Sequence, residues 1–294
     1  MLASPMTRAL VFAHYDRDGI FDPHVVRAIL TYRSLVDRLV VVSTSAVHLP
    51  DALRSSVDDF VARDNVGYDF CSWRDGIRRL GDIGGYDEVV CANDSVYGPL
   101  FDLAPAFHDA RIAAADFWGM CLSEQGTKRR GRTACPHVQS WFFVMRRPLL
   151  ESAAFADFWR SVQPQACKDD VIDRYELGMT EQFVRAGFRM AALYDARTRG
   201  GATWAEIRPH IAVAEPQRSW RHVKKARRRP HNPSELFPLR LLAAGVPFLK
   251  VALFRVNHYG LSLRAVRAGL RAVAGTYDVG LIDDHLARLD AATA

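Results

Sequence analysis

Four groups of polar residues in this chain each follow a short apolar run, and their types suit a charged, oxygen-rich ligand. His14, Tyr15, Asp16, Arg17 and Asp18 come after the run Ala9–Ala13, and Ser43, Thr44 and Ser45 close the run that starts at Arg38. Arg63, Asp64, Asn65, Gly67, Tyr68 and Asp69 follow Phe60–Ala62, and Asn93-Asp94-Ser95 follows Tyr86–Ala92. One carboxylate at a strand end, flanked by small polar residues, can hold Mg²⁺ or Mn²⁺. Such a cation bridges two phosphate oxygens and supports a leaving diphosphate. Asp94 is the candidate metal ligand, with Asn93 and Ser95 beside it. The same residue types also suit a turn or helix cap after a strand, and both readings stand at this point.

The elements that position these groups follow from hydrophobic patterning. Ala9–Ala13 and Arg38–Ser43 are short apolar runs, the second β-branched, and between them Pro23 opens a helical pattern through Val25, Ile29, Tyr32 and Val36. Strand, helix, strand with short links predicts a parallel sheet. The theme continues with a helix over 50–57, a strand over 60–63, a helix over 69–80, a turn over 81–85 and a strand over 86–92. Strands are predicted over 115–122, 138–146 and 188–194, helices over 148–162 and 169–187, and a polar loop over 123–136. Ligands of an open parallel sheet bind beyond the carboxyl ends of the strands, which is where all four polar groups fall. There is no G-x-x-x-x-G-K-[ST] loop and no G-x-G-x-x-G after the first strand. A P-loop ATPase or a nicotinamide dehydrogenase is therefore disfavoured.

Composition bounds the rest. The chain has 294 residues, 49% of them hydrophobic, and a net charge of +6. That is an ordinary globular composition. No run of about 18 uncharged apolar residues exists, so no transmembrane helix is predicted. The first residues lack the order of a signal peptide, and the expectation is residence in the cytoplasm. The five cysteines, Cys71, Cys91, Cys121, Cys135 and Cys167, form no Cys-x-x-Cys pair, which predicts reduced, buried thiols and no structural zinc. Charge is concentrated: Arg218, Arg221, Lys224, Lys225, Arg227, Arg228 and Arg229 lie between Glu215 and Glu235 with no acid among them. The rest is close to neutral, so no nucleic-acid partner is expected. The basic segment suits phosphates of a membrane surface or of a polyprenyl-diphosphate acceptor, or else a solvated loop. The apolar stretch 236–256 beside it favours membrane contact through 217–256, peripheral on the inner face of the plasma membrane. The composition shift divides the chain into residues 1–215 and a basic, amphipathic extension, 216–294.

An ordered set of motifs resembles the rhamnan-synthesis F family: Asn65-x-Gly67-x-Asp69 with Ser72-Trp73, Tyr86-Asp87 leading to Asn93-Asp94-Ser95-x-Tyr97-Gly98-Pro99-Leu100, Phe117-Trp118-Gly119, His137-Val138-Gln139-Ser140-Trp141-Phe142, Phe158-Trp159, Tyr175-Glu176, Gly187-Phe188, Asn232-Pro233 and Pro247-Phe248-Leu249-Lys250. It covers roughly residues 10–257. The resemblance implies a Rossmann-like α/β, GT-A-type glycosyltransferase fold with a mainly parallel sheet, here with a small helical C-terminal extension. It implies transfer of rhamnose or a related deoxyhexose from a nucleoside-diphosphate donor to a lipid-linked or growing glycan, in O-antigen, capsule or wall-glycan assembly. It also implies donor contacts at Arg63, Asn65, Gly67, Asp69, Asn93 and Ser95 and, near the base or ribose, at His14 and Asp16. GT-A enzymes hold a divalent metal, Mn or Mg, on an Asp-x-Asp motif, whereas Asn93-Asp94-Ser95 supplies one carboxylate. A non-catalytic nucleotide- or glycan-binding module with a degenerate metal motif is the alternative.

An inverting transferase needs a carboxylate to take the acceptor's hydroxyl proton. Many inverting GT-A enzymes place an acid at a helix start eleven residues before a glycine. Glu176 stands eleven residues before Gly187 and Glu181 six, so Glu176 is preferred. His137 opens an apolar strand as a further catalytic candidate. Trp118 and Gln139 are candidates for acceptor contact, although Trp118, Trp141 and Trp159 sit in apolar runs that equally suit core packing.

Overall fold

The computed structural model describes residues 6–127, 130, 134–211, 216–226, 230 and 232–291, with the backbone alone at Arg221. It divides into two compact units. The first is Met1–Asp94, Ala110–Met120 and His137–Ala192; the second is Ser95–Asp109, Cys121–Pro136 and Leu193–Ala294. A cut near residue 215 follows a change in composition, whereas the structural division follows where the chain makes its contacts. Residues 193–215 and two earlier excursions therefore go with the C-terminal part.

The strands of the main sheet are β1 (Arg8–His14), β2 (Arg38–Ser43), β3 (Asp59–Ala62), β4 (Glu88–Asn93), β6 (Phe117–Gln125), β7 (Ala134–Val138), β8 (Phe142–Arg146) and β9 (Met190–Asp195). Their order is β3-β2-β1-β4-β8-β6-β7, with β9 also on β6. β3, β2, β1 and β4 run parallel, with Leu10 opposite both Leu39 and Val90. β8 is antiparallel to β4 and to β6. The expected α/β architecture is thus present, its parallel part built by the first four strands. Ala9 to Ala13 and Leu39 to Val42 are buried throughout, as strands covered on both faces must be.

In the first unit the helices are α1 (Pro23–Arg33), α2 (Asp51–Arg54), α3 (Tyr68–Leu80), α4 (Arg147–Leu150), α5 (Ala153–Ser161), α6 (Lys168–Val171) and α7 (Gly178–Arg185), with a π-turn, Ile172–Leu177, joining the last two. α3 buries Phe70, Trp73, Ile77 and Leu80. Trp73 Nε1 donates to the Ala92 carbonyl at 2.9 Å, tying the helix to β4. Gly76 permits the close approach: a Cβ there would lie 2.2 Å from Val11 Cγ1.

The strand predicted over 138–146 is two strands. Gln139–Trp141 turns between β7 and β8, Gln139 Oε1 accepts from Trp141 Nε1 at 3.2 Å, and the Trp141 carbonyl accepts from Asn93 N at 3.3 Å. A turn without glycine or proline inside an apolar run leaves no periodicity signal. The loop predicted over 123–136 is shorter, since Ser123–Gln125 extend β6 and Ala134 opens β7; residues 128, 129 and 131–133 lie outside the described residues.

The second unit holds β5 (Val96–Tyr97) paired antiparallel with β10 (Leu249–Lys250). Its helices are α8 (Trp204–Ile207), α9 (Pro216–Ala226), α10 (Pro233–Leu236), α11 (Pro238–Ala243), α12 (Val251–Arg255), α13 (Leu263–Val273) and α14 (Gly280–Ala291). The helical C-terminal extension expected from the sequence ends in α13 and α14. Leu236, Phe237, Leu241, Leu242, Val246, Phe248, Leu249, Leu253 and Phe254 are all buried. The apolar stretch expected to favour membrane contact is instead core, because short helices broken at Pro238 and Gly245 fold its apolar side chains inward. No described helix is long and apolar enough to cross a membrane. All five cysteines are thiols; Cys71, Cys91 and Cys121 are buried, Cys135 is half-buried and Cys167 exposed.

Candidate functional site

The direction of chain travel reverses across β1: β2 and β3 lie on one side of it and β4 on the other. The carboxyl ends of β1 and β4 therefore flank a topological switch point, where open α/β sheets bind ligands. Asp94 sits there. Its Oδ2 accepts from the backbone N–H of Tyr15 at 2.6 Å. Removal from water pushes the Asp94 carboxyl well above the ordinary carboxylate range, the charge of Asp69 pushes it further, and Asp16 adds to both. The N–H groups of Tyr15 and of Asp94 itself offset part of this.

Asp69 reaches the site from the first turn of α3, where it accepts from Asn93 Nδ2 at 2.8 Å. The loop after β1 brings Asp16, whose N–H donates to Ser45 Oγ at 2.8 Å and whose Oδ1 accepts from Asp18 N at 2.8 Å. Asp94 is thus not the solitary carboxylate that its triplet suggests. Asp69, in the first turn of α3, and Asp16, in the loop after β1, both act electrostatically on Asp94, and surplus negative charge of that kind attracts a hard divalent cation.

Gly67 sets the entry to α3. Its φ of +84° is left-handed, and a Cβ would lie 2.3 Å from Cys71 Sγ. Only glycine meets both conditions without strain. Asn65 is exposed in the same loop. Arg63 is engaged within the protein: it pairs with Asp75 at 3.0 Å and donates to Ser72 Oγ at 3.3 Å and to the Val66 carbonyl at 2.8 Å. Its guanidinium braces the loop before α3 rather than standing open to a diphosphate.

His14 is likewise turned inward. Nδ1 meets Ser43 Oγ at 2.9 Å, Nε2 meets the Ile20 carbonyl at 3.1 Å, and the ring stacks on Phe21 at 4.0 Å. Burial lowers its pKa to about 4, against the raising effect of Asp16, so the ring is neutral near pH 7. It shapes the loop that carries Tyr15 and Asp16. Ser95 belongs to the second unit, where its Oγ accepts from Lys250 Nζ at 3.1 Å.

Glu176 lies in the π-turn between α6 and α7. Its Oε2 accepts from the Ser140 hydroxyl and, at 3.4 Å, from Ser140 N; its Oε1 lies 3.3 Å from His137 Nε2. A wide turn inside a helix frequently marks a functional position. Ser140 lies in the turn whose Trp141 carbonyl receives Asn93 N–H, so Glu176 is tied through two short links to the end of β4. Of the three catalytic candidates, the structure brings Glu176 and His137 together. Glu181 is on α7, 3.8 Å from Arg185 one turn on. Ser140 was not legible as a partner of Glu176, because 36 residues separate them.

Trp118 is fully buried in β6, opposite Val144, so it is a core residue and offers no face to an acceptor sugar. Trp141 and Trp159 are core as well, and Gln139 is buried with its amide oxygen on Trp141. In the basic segment, Arg218 donates to the carbonyls of Gly260 and Leu261, and Lys225 to that of His258. Lys224 is exposed; Arg227, Arg228 and Arg229 lie outside the described residues.

Residues 39–216 match the family model described as rhamnan synthesis protein F. Virulence protein VirA of Vibrio anguillarum is 26% identical over 228 residues, 76% of this chain and 70% of VirA. The uncharacterized protein y4gN of Sinorhizobium fredii is 27% identical over 135 residues, 46% of this chain and 34% of that protein. The chain thus spans about a third of the length of y4gN. Among solved structures, glucosyl-3-phosphoglycerate synthase from Mycobacterium tuberculosis, in complex with Mn²⁺, UDP-glucose and phosphoglyceric acid, is loosely similar: TM-score 0.39, 14% identity, 76% of this chain and 78% of that one. CMP:2-keto-3-deoxy-manno-octonic acid synthetase with CTP is comparably distant, at TM-score 0.38 and 9% identity over 65% of this chain and 90% of that one. With well over half of its length matched by the family model, in the region that carries Asp69, Asp94, His137 and Glu176, this chain belongs to the rhamnan synthesis protein F family.

Proposed function

We propose that this chain is a glycosyltransferase that takes a sugar, rhamnose or a related deoxyhexose, from a nucleoside-diphosphate donor and places it on a growing or lipid-linked surface glycan. The observation that carries the reading is the placement of Asp94, Asp69 and Asp16 at the switch point of the sheet, with the Asp94 carboxyl raised by burial and by its two neighbours. Asp94 would hold a divalent cation with help from Asp69 and Asp16. When bound, that cation neutralises the diphosphate and stabilises it as a leaving group. The N–H groups after β1 and β4 fix the carboxylates, so that little reorganisation remains for the moment of reaction.

Glu176 serves as the base. It removes the proton of the acceptor hydroxyl as that oxygen bonds to the anomeric carbon and the bond from that carbon to the diphosphate oxygen breaks. Ser140 and His137 address the two oxygens of Glu176 and hold it in one orientation, which an efficient base requires.

A thermal-shift series with UDP, dTDP and GDP, each with and without Mn²⁺, tests the donor site. Stabilisation by at least one nucleotide, deepened by the cation, is the expected outcome. No shift with any of them overturns the donor-site reading. A shift without turnover of any nucleoside-diphosphate sugar would identify a binding module instead.

A further inference from the structure

Four of the six tryptophans, Trp73, Trp118, Trp141 and Trp159, are buried. The other two are Trp204 at 64% exposure and Trp220 at 69%. Both belong to the second unit, on α8 and α9, which pack against each other. Neither is a loose side chain. Trp204 starts α8 directly after a capping box between Thr203 and Glu206, and Glu206 is held by Arg240. α9 buries Ser219, His222 and Ala226 and exposes Gln217, Trp220 and Lys224, a spacing that puts the exposed three on one helical face. The helix is fixed from behind, because Arg218 and Lys225 are spent on the carbonyls of residues 258–261.

We infer that the outer face of α9, with Trp220 and Lys224 and with Trp204 of the adjoining α8, docks on an anionic phospholipid surface. Charge complementarity selects the occupant. The stretch from Arg218 to Arg229 carries no acid, and on the described face Lys224 is the exposed base while Arg218 and Lys225 are held on backbone carbonyls; a basic residue next to an anionic leaflet adds about fivefold in affinity. Tryptophan supplies the second element, since its amphipathic ring settles at the headgroup level. An acidic protein partner is the alternative occupant, and binding to vesicles in the absence of any other protein separates it from a lipid surface. The inference does not depend on the donor site, and it moves the expected contact from the buried 236–256 stretch to the 204–224 face.

Flotation with phosphatidylcholine vesicles, with and without phosphatidylglycerol, tests it on the full chain. Binding only to the anionic vesicles, weakened by salt, is expected. Lys224→Glu should lower it about twenty-fivefold, two charge units at about fivefold each. Trp220→Ala and Trp204→Ala should each weaken it and reduce the blue shift of tryptophan emission on binding. Both tryptophans are exposed, so the variants should keep the wild-type melting temperature and circular dichroism spectrum. No binding, equal binding to neutral vesicles, or binding indifferent to Trp220→Ala and Lys224→Glu overturns the inference. So does quenching of both tryptophans by a soluble oligosaccharide in a protein that ignores vesicles, which would make the face a glycan platform.

Discussion

The Asp94 carboxylate accepts a 2.6 Å hydrogen bond from the backbone N–H of Tyr15, which joins the loops leaving β4 and β1 where the strand order reverses. The bond orients one carboxylate toward the switch point but does not neutralise it. The charges of Asp69 and Asp16 act against its ionisation, and a cation would relieve all three.

Asp94→Asn should therefore separate stability from function. The amide oxygen can still accept from Tyr15 while the repulsion disappears, so the metal-free variant should melt at or above the wild-type temperature. Mn²⁺ should no longer stabilise it, and sugar transfer should fall at least about a hundredfold. A metal-free variant that melts well below wild type would contradict the repulsion.

Cation binding should also depend on pH in a stated direction. With its folded pKa raised, Asp94 takes up a proton above the ordinary carboxylate value of 3.8, and proton and cation compete for it. Mn²⁺ affinity measured by calorimetry should weaken as pH falls through that raised range. In the metal-free protein the same protonation favours the folded state, so the Asp94 contribution to stability rises as pH falls there. Asp94→Asn should remove both effects.

Glu176→Gln should lower kcat by about 10²–10⁴, the range for loss of a general base, with little change in donor KM. Ser140→Ala and His137→Gln should lower kcat less and shift its pH profile, since they act through Glu176. Glu181→Gln serves as the contrast. Its pairing with an exposed Arg185 at 3.8 Å is of a kind that contributes about 0.5 kcal/mol or less, and activity should remain.

Gly67→Ala combines a left-handed φ with a Cβ placed against Cys71 Sγ. The backbone conformation costs about 1–2 kcal/mol and the overpacking about 1–3, so urea unfolding should show a loss of about 2–5 kcal/mol. A neutral result would mean that the entry to α3 adapts.

His14 predicts acid sensitivity of the β1 loop. Its folded pKa is lowered from 6.5 to about 4 by burial, so the unfolded chain binds a proton that the folded chain refuses. The stabilisation is complete above about pH 6.5 and is lost progressively as pH falls toward 4, on the order of 3 kcal/mol. Denaturation midpoints across that window should slope less steeply in His14→Gln.

Much of this protein is written locally. Runs such as Leu39–Val42, Pro23 at a helix start and Gly67 before α3 declare strands, a helix and a constrained turn within a few residues, because propensity, periodicity and backbone sterics act at that range. The sequence alone also placed Asp94 after the strand 86–92 and carried the family motifs that include Asp94 and Glu176. What it could not declare are relations between distant residues. That Asp69 and Asp16 press on Asp94, that Ser140 and His137 hold Glu176 while Glu181 lies beside Arg185, that Arg63 is held by α3 and that His14 is held by β2 and its own loop depend on which strand ends meet. The same holds for the burial of Trp118 and of the 236–256 stretch. An apolar run has the same pattern whether protein or lipid covers it, and a tryptophan the same name in a core or on a rim; only the packed chain decides which neighbour desolvates it.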